Sequence, residues 1–399
     1  MPIFVNINGG WEEVSSPKVF SNGLWMDLTN IMVNVSGVWM SVWEASIVMP
    51  INYYIVQPTN TAETINAAIE NITGASIIMF APGTWRLNSP ILINRSDISI
   101  IGTPNETKLI PGRNFVDTAL IEVGGTIDAP IKNVKISGII LDGLHMENSY
   151  NGFGIRASFI GESPTTGLSG GGYDYSTGGL QSINEEGLVI EDCIIKNNSF
   201  EGIYIGNIHN SKIINNAVIN SDGILLEFSR NTLMSSNLIT NHINTGLWVY
   251  ECDNIHMTNN QISYSGVHGV ASMGMRNSSV SNNVITDNYG DGLSLLASSN
   301  LNNISNNIIA DSMSDGIYIE NSSYNTVTSN IIRNSGYFAI ELAASYYNTL
   351  SSNNVIGNTD GIALWGDTNN LVLATVFAEQ TNSNIINEGA SNIILHSIE

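Results

Sequence analysis

Glu320 and Glu341 lie 21 residues apart, with Tyr318 just before the first and Trp365 after the second. Two carboxyl groups, one held protonated and one ionised, are the equipment of glycoside hydrolysis. A separation of about 5–5.5 Å goes with retention of configuration and about 6.5–9.5 Å with inversion. Aromatic rings beside such acids suit the CH faces of a sugar, while the carboxylates bind its hydroxyls. Tyr204, Glu227, Trp248 and Tyr250 form a second group of the same kind, with Glu251 or Asp222 as the acid that could partner Glu227. Asp222, Asp291, Asp315 and Asp360 each precede a Gly. Asp-Gly is foremost a turn signature, and these four read as turns, although Asp291 and Asp315 would stack at about the retaining distance. His145, His209, His242, His256, His268 and His396 show no metal-like spacing and read as loop residues. No metal or cofactor is expected.

A repeat must position these side chains. Gly202, Gly223, Gly246, Gly269, Gly292, Gly316, Ala339 and Gly361 recur at intervals of 21, 23, 23, 23, 24, 23 and 22. A fixed period in the low twenties marks a solenoid. In "GIYIENSSYNTVTSNIIRNSG" (316–336) Ile317 and Ile319 alternate with Tyr318 and Glu320, a short strand follows around Val327, and Ile331-Ile332 make a third. Three short strands per coil of about 23 residues specify an all-β chain, a right-handed single-stranded parallel β-helix. The pairs Asn215-Asn216, Ser236-Asn237, Asn259-Asn260, Asn282-Asn283, Asn306-Asn307, Ser329-Asn330 and Asn353-Asn354 fall at the corner between the second and third strands. Asn tolerates left-handed backbone, and stacked amides bond along such a corner.

Counted from each anchor, two outward columns follow. The first holds Arg156, Tyr204, Leu225, Trp248, Ala271, Ser294, Tyr318, Glu341 and Ala363; the second holds Ser158, Gly206, Glu227, Tyr250, Met273, Leu296, Glu320, Ala343 and Trp365. With strands about 4.8 Å apart and two positions spanning about 6.7 Å, Glu320 and Glu341 are about 8 Å apart on the diagonal, inside the inverting window. The same aromatic face could instead be a subunit interface.

The chain has 399 residues, 43% of them apolar, and a net charge of −22 although only 12% are charged. That balance disfavours nucleic acid, anionic membranes and polyanionic substrates as partners. Cys193 and Cys252 fall in turns three repeats, about 14 Å, apart and should not be bridged. No charged-then-apolar leader opens the sequence and no apolar run approaches the length of a membrane span, so neither a signal peptide nor a span is expected.

Residues 1–44 carry Trp11, Trp25 and Trp39 fourteen apart, each behind a Gly-containing turn. They read as strand–turn–strand units of a small β module for anchoring or oligomerisation. Residues 45–59 read as an apolar connector. Residues 60–74 read as a capping helix, with Asn60 as N-cap, Glu63 three on, and Ile65, Ile69 and Ile72 as its apolar stripe. The helix should plug the open end of the β-helix that occupies 60–399. A Gly-rich insertion at 160–187, carrying Tyr173, Asp174, Tyr175, Glu185 and Glu186, breaks the period and is long enough to be functional or disordered.

A helix followed by an apolar strand, "PGTW", "ILI" and "ISIIG" resembles the first coils of the pectate-lyase-like β-helix superfamily. Within it the chain is most similar to bacteriophage tail spikes and polysaccharide-degrading enzymes. The "NGGW…V…SGVW" units resemble small modules at the start of phage tail proteins. The resemblance implies that the outer face of the first strand binds saccharide. Glu320, Glu341 and Glu227 are then the candidate catalytic acids, and Tyr204, Trp248, Tyr250, Tyr318, Trp365 and Arg156 the candidate binding residues. It implies a virion tail protein, made in the host cytoplasm, that attaches to host surface glycan as a homotrimer and joins other tail proteins through residues 1–44. Whether such a face cuts the glycan or only binds it stays open. A free polysaccharide hydrolase or lyase and a purely structural virion component are the alternatives. Uronate lyases and epimerases of the superfamily need a base on this face, whereas Lys212, Arg230, Arg276 and Arg333 are expected in turns and the epimerases' Asp-Pro-His motif is absent. A lyase is therefore disfavoured.

Overall fold

In strand Ile317–Glu320 the side chains of Ile317 and Ile319 are fully buried, while Tyr318 and Glu320 are half-buried on the opposite face. The strand pairs in parallel with Leu293–Leu296 on one side and Phe338–Ala343 on the other. The same arrangement repeats along the molecule. A computed structural model describes residues 52–395 except 114, 116–117, 127–128, 130, 145–151, 161–186 and 367, and the strand backbones within 3–44. Each coil contributes one strand to each of three parallel sheets. The first sheet has 12 strands, from Ile91–Ile93 to Ile385–Asn387. The second has 14, from Asn52–Val56 to Ile393–Leu395, and the third 12, from Gly83–Leu87 to Val376–Ala378. Their inward Ile, Leu and Val residues form one continuous apolar core.

The corners carry the polar half of the sequence. Asn216 donates its backbone N–H (3.0 Å) and its side-chain amide (3.2 Å) to Asn237 Oδ1, and its amide also reaches the Ile190 carbonyl. The pattern continues through Asn260, Asn283, Asn307, Asn330 and Asn353, each in turn. The residue before each of them takes a left-handed φ, from 55° at Ser352 to 59° at Ser236. The last pair is therefore Ser352-Asn353, one residue earlier than the expected Asn353-Asn354. A second ladder, Asn302, Asn325, Asn348 and Asn370, lines the corner between the first and second sheets. Buried amides with every bond made hold the bends closed.

Helix α1 (Ala62–Asn71) buries Ile65 and Ile69 and leaves Ile72 at its C-cap. Its N-cap is Thr61, whose hydroxyl accepts the Thr64 N–H at 3.3 Å, and not Asn60, whose Oδ1 instead accepts from Gln57. Asn66 accepts the Leu92 N–H at 2.9 Å and donates to the Pro90 carbonyl at 2.8 Å. The helix thereby satisfies the edge strand of the first sheet, which would otherwise be open for pairing. Part of the connector expected at 45–59 is itself a strand, Asn52–Val56, paired in parallel with Ser76–Phe80.

Within 3–44 the strand backbones form three antiparallel hairpins, Ile3–Ile7 with Gly10–Val14, Lys18–Ser21 with Leu24–Asp27, and Asn30–Val35 with Val38–Glu44. Most of the Gly-rich insertion, with Tyr173, Asp174, Tyr175, Glu185 and Glu186, lies outside the described residues, as do His145 and His396. Cys193 and Cys252 are buried, free thiols, the first at the base of the Asn216 ladder and the second at the corner of the other ladder. Among the described residues no helix is long and apolar enough to cross a membrane.

Candidate active site

The outward columns are in register. Arg156, Tyr204, Leu225, Trp248, Ala271, Ser294, Tyr318, Glu341 and Ala363 stack strand upon strand. Ala271, Ser294 and Ala363 are nevertheless fully buried. Small side chains there lie beneath larger neighbours.

The strongest cluster comes from the residues that precede the anchor glycines. Asp291 and Asp315 are not turn residues: neither has a left-handed φ, and each is only 5% exposed. The glycines after them answer a close approach, since a Cβ at Gly292 or Gly316 would fall onto the Cγ2 of Ile309 or Ile332. Asp291 Oδ1 accepts the Asp315 N–H at 3.1 Å, and Asp315 Oδ1 accepts the Phe338 N–H at 2.8 Å. Both carboxyls reach toward the outer face of the first sheet. Asp291 Oδ2 accepts from the Ser294 hydroxyl at 2.7 Å and lies 3.2 Å from His268 Nδ1, and Asp315 is hydrogen-bonded to Glu341. Trp365 also bonds Glu341, and its ring meets Phe338 edge-on at 6.0 Å.

Their environments push these acids apart. Burial alone would raise Asp291, but bonds with His268, Ser314 and Ser294 outweigh it and hold its carboxyl below the ordinary range. Asp315 is pushed up to about 8, by burial first and then by the Asp291 charge and Glu341, against the bond from Phe338. Glu341 is also raised, by burial and by the charges of Asp291 and Glu320, although bonds to Asp315 and Trp365 oppose this. Near neutral pH Asp315 keeps its proton and offers it to Glu341, beside an ionised Asp291. Tyr318, beside them, is pushed up to about 12 by burial and the two glutamates.

Aromatic rims flank this cluster. Tyr289 (71% exposed) and Tyr337 (62% exposed) stand on the corner leading into the first sheet. On the corner leading out, the exposed rings of Tyr324 and Tyr347 stack at 5.2 Å and 8°.

A second acid group, this one lining a cleft, lies four coils earlier on the same sheet, about 19 Å away at the strand spacing. Glu201, Asp222 and Glu227 converge on a cleft of about 300 Å³ with Leu225, Trp248 and Val267 as its apolar wall. Tyr204 donates to Glu227 Oε2 at 2.8 Å and Asn244 to Asp222 Oδ2 at 2.8 Å. Burial raises Glu201 and Asp222, helped at Glu201 by the charges of Asp222 and Glu227.

The expected site residues therefore separate. Glu320, Glu341, Tyr318 and Trp365 share the first cluster. Tyr204, Glu227 and Trp248 share the second. Tyr250 turns its ring edge-on to Phe228 at 5.4 Å. Arg156 pairs with Glu122 at 2.8 Å. Asp360 lies on strand Asp360–Trp365, with its oxygens on Ser383 N–H and Asn382. Lys212, Arg230 and Arg333 lie on strands of the second and third sheets, and not in turns. The histidines are not all loop residues: His242 is a buried strand residue and His256 lies on a strand. His268 belongs to the acid cluster. Asp291 and Asp315, expected as Asp-Gly turns that stack, and His268, expected as a loop residue, belong together in this cluster; the signal in the sequence is their shared place before the anchor. Among the described residues no three His, Cys, Asp or Glu side chains are arranged to hold a metal ion.

The chain belongs to the right handed beta helix region family, which it matches over residues 119–307 and 222–377. It is 31% identical over 90 residues to an exo-beta-1,3-glucanase of Streptomyces sp. (strain SirexAA-E / ActE), a match covering 23% of this chain and only 13% of that protein. Among solved structures it is similar to the A-module of mannuronan C-5 epimerase AlgE4 of Azotobacter vinelandii, with a TM-score of 0.70, 15% identity, and 84% and 96% of the two chains covered. It is also similar to DFA-IIIase from Arthrobacter chlorophenolicus A6, with a TM-score of 0.64, 17% identity, and 81% and 94% covered. The enzymatically active domain of bacteriophage CBA120 tailspike protein 2 gives 0.53, 12% identity, and 87% and 50% covered. At these identities the structures establish the fold.

Proposed function

We propose that the chain binds a polysaccharide along the outer face of its first sheet and hydrolyses it at the Asp315–Glu341 pair. The observation that carries this reading is the hydrogen bond of buried Asp315 to half-buried Glu341, beside Asp291, on a sheet face bordered by exposed tyrosines. The Asp315 proton passes to Glu341, the half-buried member, as Glu341 protonates the glycosidic oxygen. Glu320, about 8 Å away on the diagonal, takes a proton from the water that attacks the anomeric carbon as the glycosidic bond breaks. That separation corresponds to inversion. Asp291 keeps its charge and stabilises the protonated pair. Trp365 and the rim tyrosines present rings to the sugar.

The setting that best accommodates this activity is a phage tail spike or fibre-like protein that attaches to host surface glycan as a homotrimer, with residues 1–44 held by other tail proteins. The tailspike likeness and the exposed apolar side chains of Ile243 and Met313 support it. The test is reducing-end release from a panel of capsular polysaccharides, lipopolysaccharides and β-glucans. Parent protein should release ends, with the product anomer inverted. Glu341→Gln and Glu320→Gln should each cut turnover by orders of magnitude while binding persists. Binding without release in the parent would make the face an adhesin; release unaffected by either change would place the chemistry elsewhere.

A further inference from the structure

The outer face of the third sheet carries neither acid cluster and has a composition of its own. We infer that it is the surface through which parallel copies of this chain associate. The inference rests on the oligomeric reading above, adds the surface that such an oligomer needs, and does not require hydrolysis.

Leu238, Val284, Ile308, Ile331 and Val376 occupy one outward column of that sheet, in register strand upon strand, with Gln261 and Asn354 between them. Each of the five is 37–40% exposed, and the column runs about 30 Å at the strand spacing. The second sheet shows what the same stretch of coils presents to water. Its outward positions there include Ser279, Ser281, Thr326, Thr328, Thr349 and Ser351. An aliphatic column where the neighbouring sheet carries hydroxyls marks a surface that protein covers.

The face itself selects a second copy as the cover. A side chain every 4.8 Å or so, repeated over several coils, is matched by a partner of the same spacing, and another copy of the rod has it. The relief is self-complementary as well. Beside the bulky column runs a column of small side chains, Thr240, Ser263, Thr286 and Ala310, so a ridge and a trough of equal pitch lie side by side. A rotation axis running along the rod lays the ridge of one copy in the trough of the next and leaves the first sheet uncovered. Two chains of net charge −22 repel each other. The third-sheet strands from Ala217–Ile219 to Val376–Ala378, however, contain no Asp or Glu and a single Arg, Arg333. Two anionic rods approach there at the least electrostatic cost. Ile243 (76% exposed) and Met313 (57% exposed), on the corner leading from this sheet to the first, extend the apolar surface.

Sedimentation velocity of the full chain over a range of concentrations tests this. The parent should form an oligomer that tightens as salt is raised, because screening removes the repulsion between copies. Ile308→Thr combined with Ile331→Thr gives the face the second sheet's composition and keeps β-branched side chains. It should weaken association by about tenfold or more. Ile308→Glu combined with Ile331→Glu should leave monomer, and the threonine pair keeps the test decisive if the glutamate pair disturbs folding. Ser281→Glu combined with Thr326→Glu, on the second sheet, should associate like the parent. A parent that is monomeric at every concentration, an oligomer that both third-sheet pairs leave intact, or one that salt dissociates would overturn the inference. In the first case the homotrimer falls with it; in the second the homotrimer stands through another face. Loss of glycan capture in those pairs with the oligomer intact would assign the column to glycan and overturn the inference too. Reducing-end release is read separately, so hydrolysis at the Asp315–Glu341 pair stands or falls on its own.

Discussion

Asp315 shows how one residue can be costly to the fold and useful to the site. Its carboxyl is raised to about 8, against about 3.9 for an unperturbed Asp. The native state thus holds an extra proton between those values, and stability falls as pH rises through that window. Asp315→Asn keeps the acceptor for Phe338 and a donor for Glu341 but cannot ionise. Its melting temperature should match the parent below about pH 4 and exceed it by a margin that grows up to about pH 8, while turnover is lost; parallel melting curves across pH would show that Asp315 titrates normally. The buried histidines work in the opposite sense. Burial lowers His209 and His242 to about 4, so they take up protons on unfolding and their contribution fades as pH drops below about 6.5. The sequence made Glu320, Glu341 and Trp365 legible because strand alternation alone puts them outside. It hid Asp315 because the pair Asp-Gly carries the same local signature in a solvated turn and at the mouth of a buried strand.

At the scale of elements, the strands and the corners divide the stabilising roles. Ile319 is fully buried between Leu295 and Leu342 of the adjacent coils. Ile319→Asp places an unpaired charge there and should unfold several coils, seen as a lost or much earlier thermal transition; a parent-like melt would refute its inward position. Asn330→Ala is milder. It orphans the Asn307 N–H and the Ile304 carbonyl, at about 1–3 kcal/mol for each buried group left unpaired, read as a lower urea midpoint. The Asn216–Asn353 ladder was legible because its pairs recur beside apolar strands. The ladder through Asn302, Asn325, Asn348 and Asn370 was present in the same alignment at intervals of 23, 23 and 22. It is harder to read because Leu301, Tyr324, Tyr347 and Asn369 precede its members and give no fixed pair. The capping helix was legible from its Ile stripe, whereas its N-cap depends on backbone geometry that Asn60 and Thr61 can both satisfy in sequence terms.

The whole molecule is a long anionic rod of stacked coils whose first sheet carries two acid clusters about 19 Å apart. Three hairpins with a Trp in each precede the rod, and removal of residues 1–44 should leave the β-helix melting as before but abolish incorporation into particles or oligomers; normal assembly of the truncated chain would refute that role. The rod was legible from its period. The relief of its face was not, because it depends on which outward small residues, such as Ser294 and Ala363, are overhung by neighbours from adjacent coils. The most direct test of the account is the pH dependence of kcat/KM for glycan hydrolysis. With the proton held by Asp315 and offered to Glu341, activity should fall on an alkaline limb near the Asp315 value of about 8, and Glu341→Gln should abolish activity across the range. A rate that holds undiminished well above that pH, or a Glu341→Gln variant that follows the parent profile, would contradict it.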